Sequence, residues 1–197
     1  MNERLVYGLV LAGGKSTRMG RDKGAIVYHD TPQRDHLYSL LNALCHKTYY
    51  SIREDQLNEF KDDDQLIVDD NEYRGPLNGI LSAHKKHPDV AWMVMACDLP
   101  FMNIPMLTML LEERDEKCAA TAFSTRESGL PEPLAAIWEP EGLKGAYGYL
   151  ANGASSCPRK YLINSDVKLV IPEQDQVLLN ANSEEDYKEA LSKLVSK

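Results

Sequence analysis

Short apolar runs alternate along this chain with stretches that have helical spacing. Residues 5–11 form an apolar run that leads into Gly13-Gly14, which predicts a buried strand feeding a tight loop. Leu37, Leu40, Leu41, Leu44 and Cys45 recur at helical intervals, so residues 33–46 read as a helix. Residues 48–53 and 65–69 read as strands, and 78–87 as a helix stopped by Pro88. Residues 91–97 are the most apolar run and predict a central strand, bounded by Asp98 and Pro100. Pro105 opens the next helix, with Leu107, Leu110 and Leu111 on one face. Residues 118–123 and 134–138 read as further strands, followed by a looser region with two short helices and a strand around 168–171. Ser183 caps a last helix, whose Tyr187, Ala190, Leu191, Leu194 and Val195 share one face. Trp92 and Trp138 fall in strands and read as core.

Alternating strands and helices imply an α/β fold: a single Rossmann-like domain over residues 1–197, with a mostly parallel central sheet and helices on both faces. Ligands bind such sheets beyond the carboxyl ends of the strands. The segments to read for chemistry are therefore 12–23, 69–79, 98–103 and 180–183.

Hydrophobic residues at 43% and charged residues at 26% are ordinary globular usage, which excludes a disordered chain and a disulfide-stapled mini-protein. Thirty acidic side chains against 22 basic ones give a net charge of −8, unsuited to broad binding of nucleic acid or an anionic membrane. An anionic ligand must then be held by a local cluster of cations. Cys45, Cys97, Cys118 and Cys157 are scattered without zinc spacing and read as reduced thiols. No apolar stretch approaches the roughly 18 residues of a membrane helix. Glu3 and the Gly13-Gly14-Lys15 continuation argue against a cleaved leader, so a cytoplasmic location is expected.

Residues 11–23 carry the densest information. Adjacent Gly13 and Gly14 let the backbone turn and approach a ligand, and their N–H groups can form an anion-binding nest. Lys15, Arg18 and Lys23 bring three cations to the same loop, enough to hold a triphosphate. Gly-Lys-Ser here is not a Walker A motif, because the required first glycine falls on Leu9. Residues 74–79 read, taken alone, as a Gly-Pro turn capped by Asn78; a helix starting there would also offer free N–H groups to a ligand. Asp98 directly follows the most apolar strand, where a carboxylate either caps the turn or needs a partner such as a metal. Ser183 and the acidic residues after it form an ordinary helix cap, which leaves Asn180 and Asn182 unexplained.

Residues 11–23 resemble the signature L-A-G-G-x-S-x-R-M-G-x-D-K of the MobA-type nucleotidyltransferases, the molybdenum cofactor guanylyltransferases and their close relatives. Leu11, Ala12, Gly13, Gly14, Ser16, Arg18, Met19, Gly20, Asp22 and Lys23 match every fixed position. Residues 75–79 are similar to the family's G-P-L-x-G, residues 97–101 to its C-D-x-P-F, and residues 180–186 to its N-x-N-T-P-E-D, in family order along the whole chain. The resemblance implies transfer of GMP from GTP to the terminal phosphate of molybdenum-molybdopterin, with release of pyrophosphate. It implies a nucleotide half, about 1–103, and an acceptor half, about 104–197. Leu11, Ala12, Gly13, Gly14, Lys15, Lys23, Asp69 and Asp98 would bind nucleotide, with Asp70 as the alternative to Asp69. Lys15 and Arg18 would hold the β- and γ-phosphates, Lys23 the α-phosphate, and Asp98 a Mg²⁺ ion. Asn182 and Asn180 would face the acceptor, and transient contact with other molybdenum-cofactor biosynthesis proteins is implied.

Departures from the family pattern gather in the second half. Ser183-Glu184 replaces Thr-Pro, Glu132 replaces a short polar residue, and residues 28–33 replace a Gly-x-Pro-Leu turn. Glu132 and Glu184 place negative charge where an anionic acceptor is expected. The base is not legible, because relatives read guanine largely through main-chain groups. A CTP-dependent cytidylyltransferase on the same pterin is the runner-up, and a sugar or alditol-phosphate nucleotidyltransferase stands third. A nucleotide-binding regulator is the non-enzyme alternative, which would not need both Lys23 and Asp98.

Overall fold

In the computed structural model, which describes residues 4–14, 23–61 and 65–195, the chain begins with β1 (Val6–Leu11), β2 (Val27–His29), β3 (Thr31–Pro32), α1 (Gln33–Asn42), β4 (Lys47–Ile52), β5 (Leu66–Val68), α2 (Pro76–Lys86) and β6 (Ala91–Ala96). It continues through α3 (Ile104–Glu112), β7 (Ala120–Phe123), β8 (Glu132–Trp138), α4 (Pro140–Ala151), α5 (Pro158–Ile163), β9 (Val167–Val170) and α6 (Glu184–Val195). Seven strands form one sheet in the order β5-β4-β1-β6-β8-β7-β9. Neighbours run parallel except around β8, which is antiparallel to both β6 and β7. Strand β6 precedes residue 103 and β8 follows it, so both halves of the chain share this sheet.

Strands β1 and β6, in the middle of the sheet, are apolar along their length because both faces are covered. Leu37 and Leu41 of α1 and Leu107 and Leu110 of α3 cover one face, against Val10, Met93 and Met95. Leu77 and Ile80 of α2, Leu143 of α4 and Tyr161 of α5 cover the other, against Leu9, Val94 and the fully buried Trp92 and Trp138. Helix α6 lies apart from both layers. Its Ala190 packs with Tyr28 of the β2–β3 hairpin, Phe101 and Ala181, and Tyr187 meets Tyr28 edge-on at 5.3 Å.

The structure differs from the sequence reading in three places. Helix α1 ends at Asn42, several residues before the apolar spacing does. The β2–β3 hairpin forms where no strand was expected. The two helices expected after β8 are present as α4 and α5, but α4 is a full 12 residues where a short helix was expected. Gly142, Gly145 and Gly148 weaken its intrinsic propensity, but Gly142 sits so close to the Ala119 backbone that a Cβ there would collide with it. Tertiary contact, and not propensity, holds this helix.

Candidate active site

Strands β5, β4, β1 and β6 are parallel neighbours, so their carboxyl ends share one edge of the sheet. Asp69 follows β5, Ser51 and Arg53 lie at the end of β4, Ala12 to Gly14 follow β1, and Asp98 follows β6. All of them line one cleft of about 510 Å³. Gly75, Pro76 and Asn78, at the start of α2, line it as well, as does Leu134 of β8. The ladder continues past the strands: Ala12 N donates to Ser51 O at 2.9 Å, and Asp69 N to Ile52 O at 2.8 Å.

The glycine loop is held from the β4 side. Arg53 Nη1 donates to the Gly13 carbonyl at 2.6 Å, and Gln56 Nε2 to the Ala12 carbonyl at 3.2 Å. Gln56 Oε1 in turn accepts from Arg53 N at 3.1 Å, and Arg53 Nε donates to Asp55 at 2.9 Å. Both loop carbonyls are thus tied to residues 53–56.

Asp69 receives Ser51 Oγ at 2.7 Å and the Asn78 side chain. Asn78 Oδ1 accepts from Tyr73 N at 3.0 Å, which fixes the amide's orientation. Burial pushes the Asp69 carboxyl above its ordinary pKa, opposed by Ser51, Asn78 and the nearby Arg53. Gly79 lets α2 approach: a Cβ there would lie 3.2 Å from Asp69 Oδ1 and closer still to Ser51 Oγ. Of the two candidate aspartates, Asp69 faces the cleft. Asp70 accepts from Lys85 Nζ at 2.8 Å, and the same ammonium reaches Glu72 at 3.1 Å.

Asp98 is half-buried, and its carbonyl accepts from Ala181 N at 2.8 Å. The Tyr28 hydroxyl is pushed up to about 12, first by burial and then by Tyr187, Asp98 and Asp186. Burial also raises the Glu132 carboxyl; Arg159 and the Leu134 N–H hold it down, and Asp98 pushes it up. Arg159 pairs with Glu132 through Nη2 and donates Nε to the Pro131 carbonyl at 3.1 Å. The negative charge that Glu132 adds is therefore met by a cation of the same chain.

Leu11, Ala12, Gly13, Gly14, Asp69 and Asp98 are brought to one cleft. Lys15 and Arg18 lie outside the described residues. Lys23 starts a short 3₁₀ turn, Lys23–Ala25, whose Gly24 lines the cleft; the Lys23 side chain is outside the described part. Asn180 and Asn182 are exposed and do not line the cleft. They flank Ala181, whose N–H ties them to Asp98. Asn182 N and Ser183 N both donate to Asp186 Oδ2 at 2.9 Å, while Asp186 N donates to Ser183 Oγ at 3.1 Å. Among the described residues no group of three His, Cys, Asp or Glu could hold a metal, and no helix is long and apolar enough to cross a membrane.

Sequence reading missed Ser51, Arg53 and Gln56. A signal was available, since the rule that ligands sit beyond strand ends applies to β4 as much as to its neighbours. Arg159 carried no local signal, because its partner is 27 residues away.

Residues 8–162 match the MobA-like NTP transferase domain. The chain is 36% identical over 183 residues to a molybdenum cofactor biosynthesis bifunctional protein of Synechocystis, covering 92% of this chain but 52% of that protein, about half its length. It is 31% identical over 183 residues to a molybdenum cofactor guanylyltransferase of Pseudomonas entomophila, covering 90% of this chain and 93% of that one. The fold is shared with molybdopterin-guanine dinucleotide biosynthesis protein A from Archaeoglobus fulgidus, at a TM-score of 0.79 and 19% identity over 97% of this chain and all of that one. A signature loop at the end of β1, a cleft built from four parallel strand ends and a sequence match over most of the chain agree: this chain is a nucleotidyltransferase of the MobA-like NTP transferase family.

Proposed function

We propose that this enzyme transfers GMP from GTP to the terminal phosphate of molybdenum-molybdopterin and so forms the guanine dinucleotide cofactor. The observation that carries this reading is the convergence of Leu11 to Gly14, Asp69 and Asp98 on one cleft, in a family where close relatives bear the guanylyltransferase name. An oxygen of the acceptor phosphate attacks the α-phosphorus of GTP in line. The bond from that phosphorus to the β-phosphate oxygen breaks, and pyrophosphate leaves. Such transfers need positioning and charge stabilisation more than covalent catalysis.

In this reading the roles are those that the family resemblance implies. Asp69 and the start of α2 lie at the β5 end of the cleft and take the nucleoside. The Gly13-Gly14 nest, with Lys15 and Arg18, takes the β- and γ-phosphates, and Lys23 the α-phosphate. Asn182 and Asn180 take the acceptor, next to Asp98.

Asp98 fits a Mg²⁺ ion that arrives with the triphosphate. It is a half-buried carboxylate on the cleft, and among the described residues there is no cage of three protein ligands around it. Mg²⁺ favours such a site, with few carboxylates and the remaining ligands from phosphates and water. When bound there, the ion neutralises the charge that develops on the phosphate oxygens. The reaction is cytoplasmic in this reading, and transient contact with other molybdenum-cofactor biosynthesis proteins delivers the acceptor.

Pyrophosphate release with each of the four NTPs, against a panel of acceptors, tests the proposal. Release with GTP and the metallated pterin is expected. Release with CTP instead would make the enzyme a cytidylyltransferase, a sugar or alditol phosphate as acceptor would replace the pterin, and nucleotide binding without release under any pairing would leave a regulator.

A further inference from the structure

We infer that Gln33 and His29 are positioning residues for Asp98, acting through the backbone of residues 98–100; this rests on the reading of Asp98 as the metal carboxylate of the cleft. Three consecutive carbonyls of that loop are each engaged by a different part of the chain. The Asp98 carbonyl accepts from Ala181 N at 2.8 Å, the Leu99 carbonyl from Gln33 Nε2 at 3.1 Å, and the Pro100 carbonyl from His29 Nε2 at 2.8 Å. A carbonyl can only accept, so His29 carries its proton on Nε2. The last two partners are 66 and 71 residues away, so these bonds are not made by local turn chemistry.

Gln33 is fully buried at the first position of α1, where its backbone N–H donates to the Ile26 carbonyl at 2.7 Å. Its Oε1 is buried with no partner among the described residues. Burying half an amide unsatisfied is costly, and a site that only needed filling would be served better by Leu or Met. The donor to Leu99 is the return on that cost. His29 stacks on His36 with ring centroids 3.9 Å apart, and His36 hydrogen-bonds the Met102 backbone. Hairpin and helix thus grip residues 99–102 along their length, and Pro100 adds a fixed φ. A metal with near-octahedral demands needs its carboxylate held closely, which a loop free to shift would not supply. The Ala181 bond fastens the same loop to the segment carrying Asn180 and Asn182, so metal carboxylate and acceptor segment share one backbone scaffold.

The test is Mn²⁺ uptake by the full-length protein with a non-hydrolysable GTP analogue, followed by electron paramagnetic resonance, alongside analogue binding without metal. His29→Phe keeps a flat ring against His36 and removes the donor. His29→Gln keeps a donor, and Gln33→Met keeps the volume without one. His29→Phe and Gln33→Met should each weaken Mn²⁺ binding about ten-fold, as lost outer-shell partners do, with metal-free analogue affinity unchanged and His29→Gln close to wild type. Wild-type Mn²⁺ uptake in folded His29→Phe and Gln33→Met overturns the inference, as does an equal loss in His29→Phe and His29→Gln. If Gln33→Met does not fold, the His29 pair decides alone. A wild-type protein that takes up no Mn²⁺ would instead remove the metal role of Asp98, and the inference with it.

Discussion

The cleft, proposed as the nucleotide end of the site, and the loop of residues 180–182 beside it, proposed as the acceptor end, meet at Asp98 but are built in different ways. At the nucleotide end, groups from β5, β4, β1 and α2 interlock: Arg53 on Gly13, Gln56 on Ala12, Ser51 and Asn78 on Asp69. At the acceptor end, Asn180 and Asn182 sit exposed on a loop. Their anchors are the Ala181 bond to Asp98, the reciprocal Ser183–Asp186 cap and the small cluster around Tyr28 and Phe101. A close-packed site reads one ligand shape with little adjustment, whereas a tethered loop can meet a bulkier partner. Within one family the first can stay constant while the second varies.

The sharpest way to break that comparison is at its junction. Asp98→Asn and Lys23→Ala should each lower pyrophosphate release by about 10²–10³, the scale of a lost transition-state charge contact. Either variant retaining most of its turnover would move the chemistry elsewhere. Gly79→Ala should show how tightly the nucleotide end is packed. Its new Cβ meets Ser51 and Asp69, and overpacking of this kind costs about 1–3 kcal/mol, to be read from the urea midpoint together with weaker GTP binding. Wild-type behaviour in both would mean that the close fit is incidental.

Arg159→Met probes the other side. Glu132 would be left facing Asp98 without its cation, and acceptor-dependent turnover should fall about ten-fold, in line with about 1–3 kcal/mol for a desolvated polar group left unpaired. GTP affinity should stay within two-fold, and adding Glu132→Gln should recover part of the loss. A parallel drop in GTP affinity would erase the distinction between the two ends. Asn182→Ala should weaken acceptor use at a stability cost below about 1 kcal/mol, because the Ser183 cap remains. Titrations of GTP and acceptor on the same variant separate the two.

A further effect concerns pH. Burial, then the neighbouring His29, holds His36 down at about 4 from its ordinary 6.5. The unfolded chain therefore binds that proton more readily. Its contribution to stability is full above pH 6.5 and drains as the pH falls towards about 4. Urea midpoints across that window should slope less in His36→Asn than in wild type, and equal slopes would show that His36 titrates normally.

Legibility divided along the same line as the architecture. The glycine signature, the Gly-Pro-Leu turn and Asp98 after its strand could be read because each is a local device: tight turns, helix starts and strand ends are written within a few residues. The continuous apolar runs of β1 and β6 announced strands covered on both faces for the same reason. The length of helix α4 was harder to see than its presence, since its glycines argue for a short helix until the Ala119 backbone is found beside Gly142.

What remained closed to the sequence was everything made by distance. Nothing local says that Arg53 will reach back to Gly13, that Arg159 will meet Glu132, or that Gln33 and His29 will each take a carbonyl beside Asp98. Local order follows from covalent geometry and periodicity, which a chain carries in its own neighbourhood. Pairing between segments depends on strand order and on which helix lies over which face, and only the folded sheet sets those. In this protein the residues expected to touch the nucleotide could be named from local pattern, while the contacts that hold them in place exist only after folding.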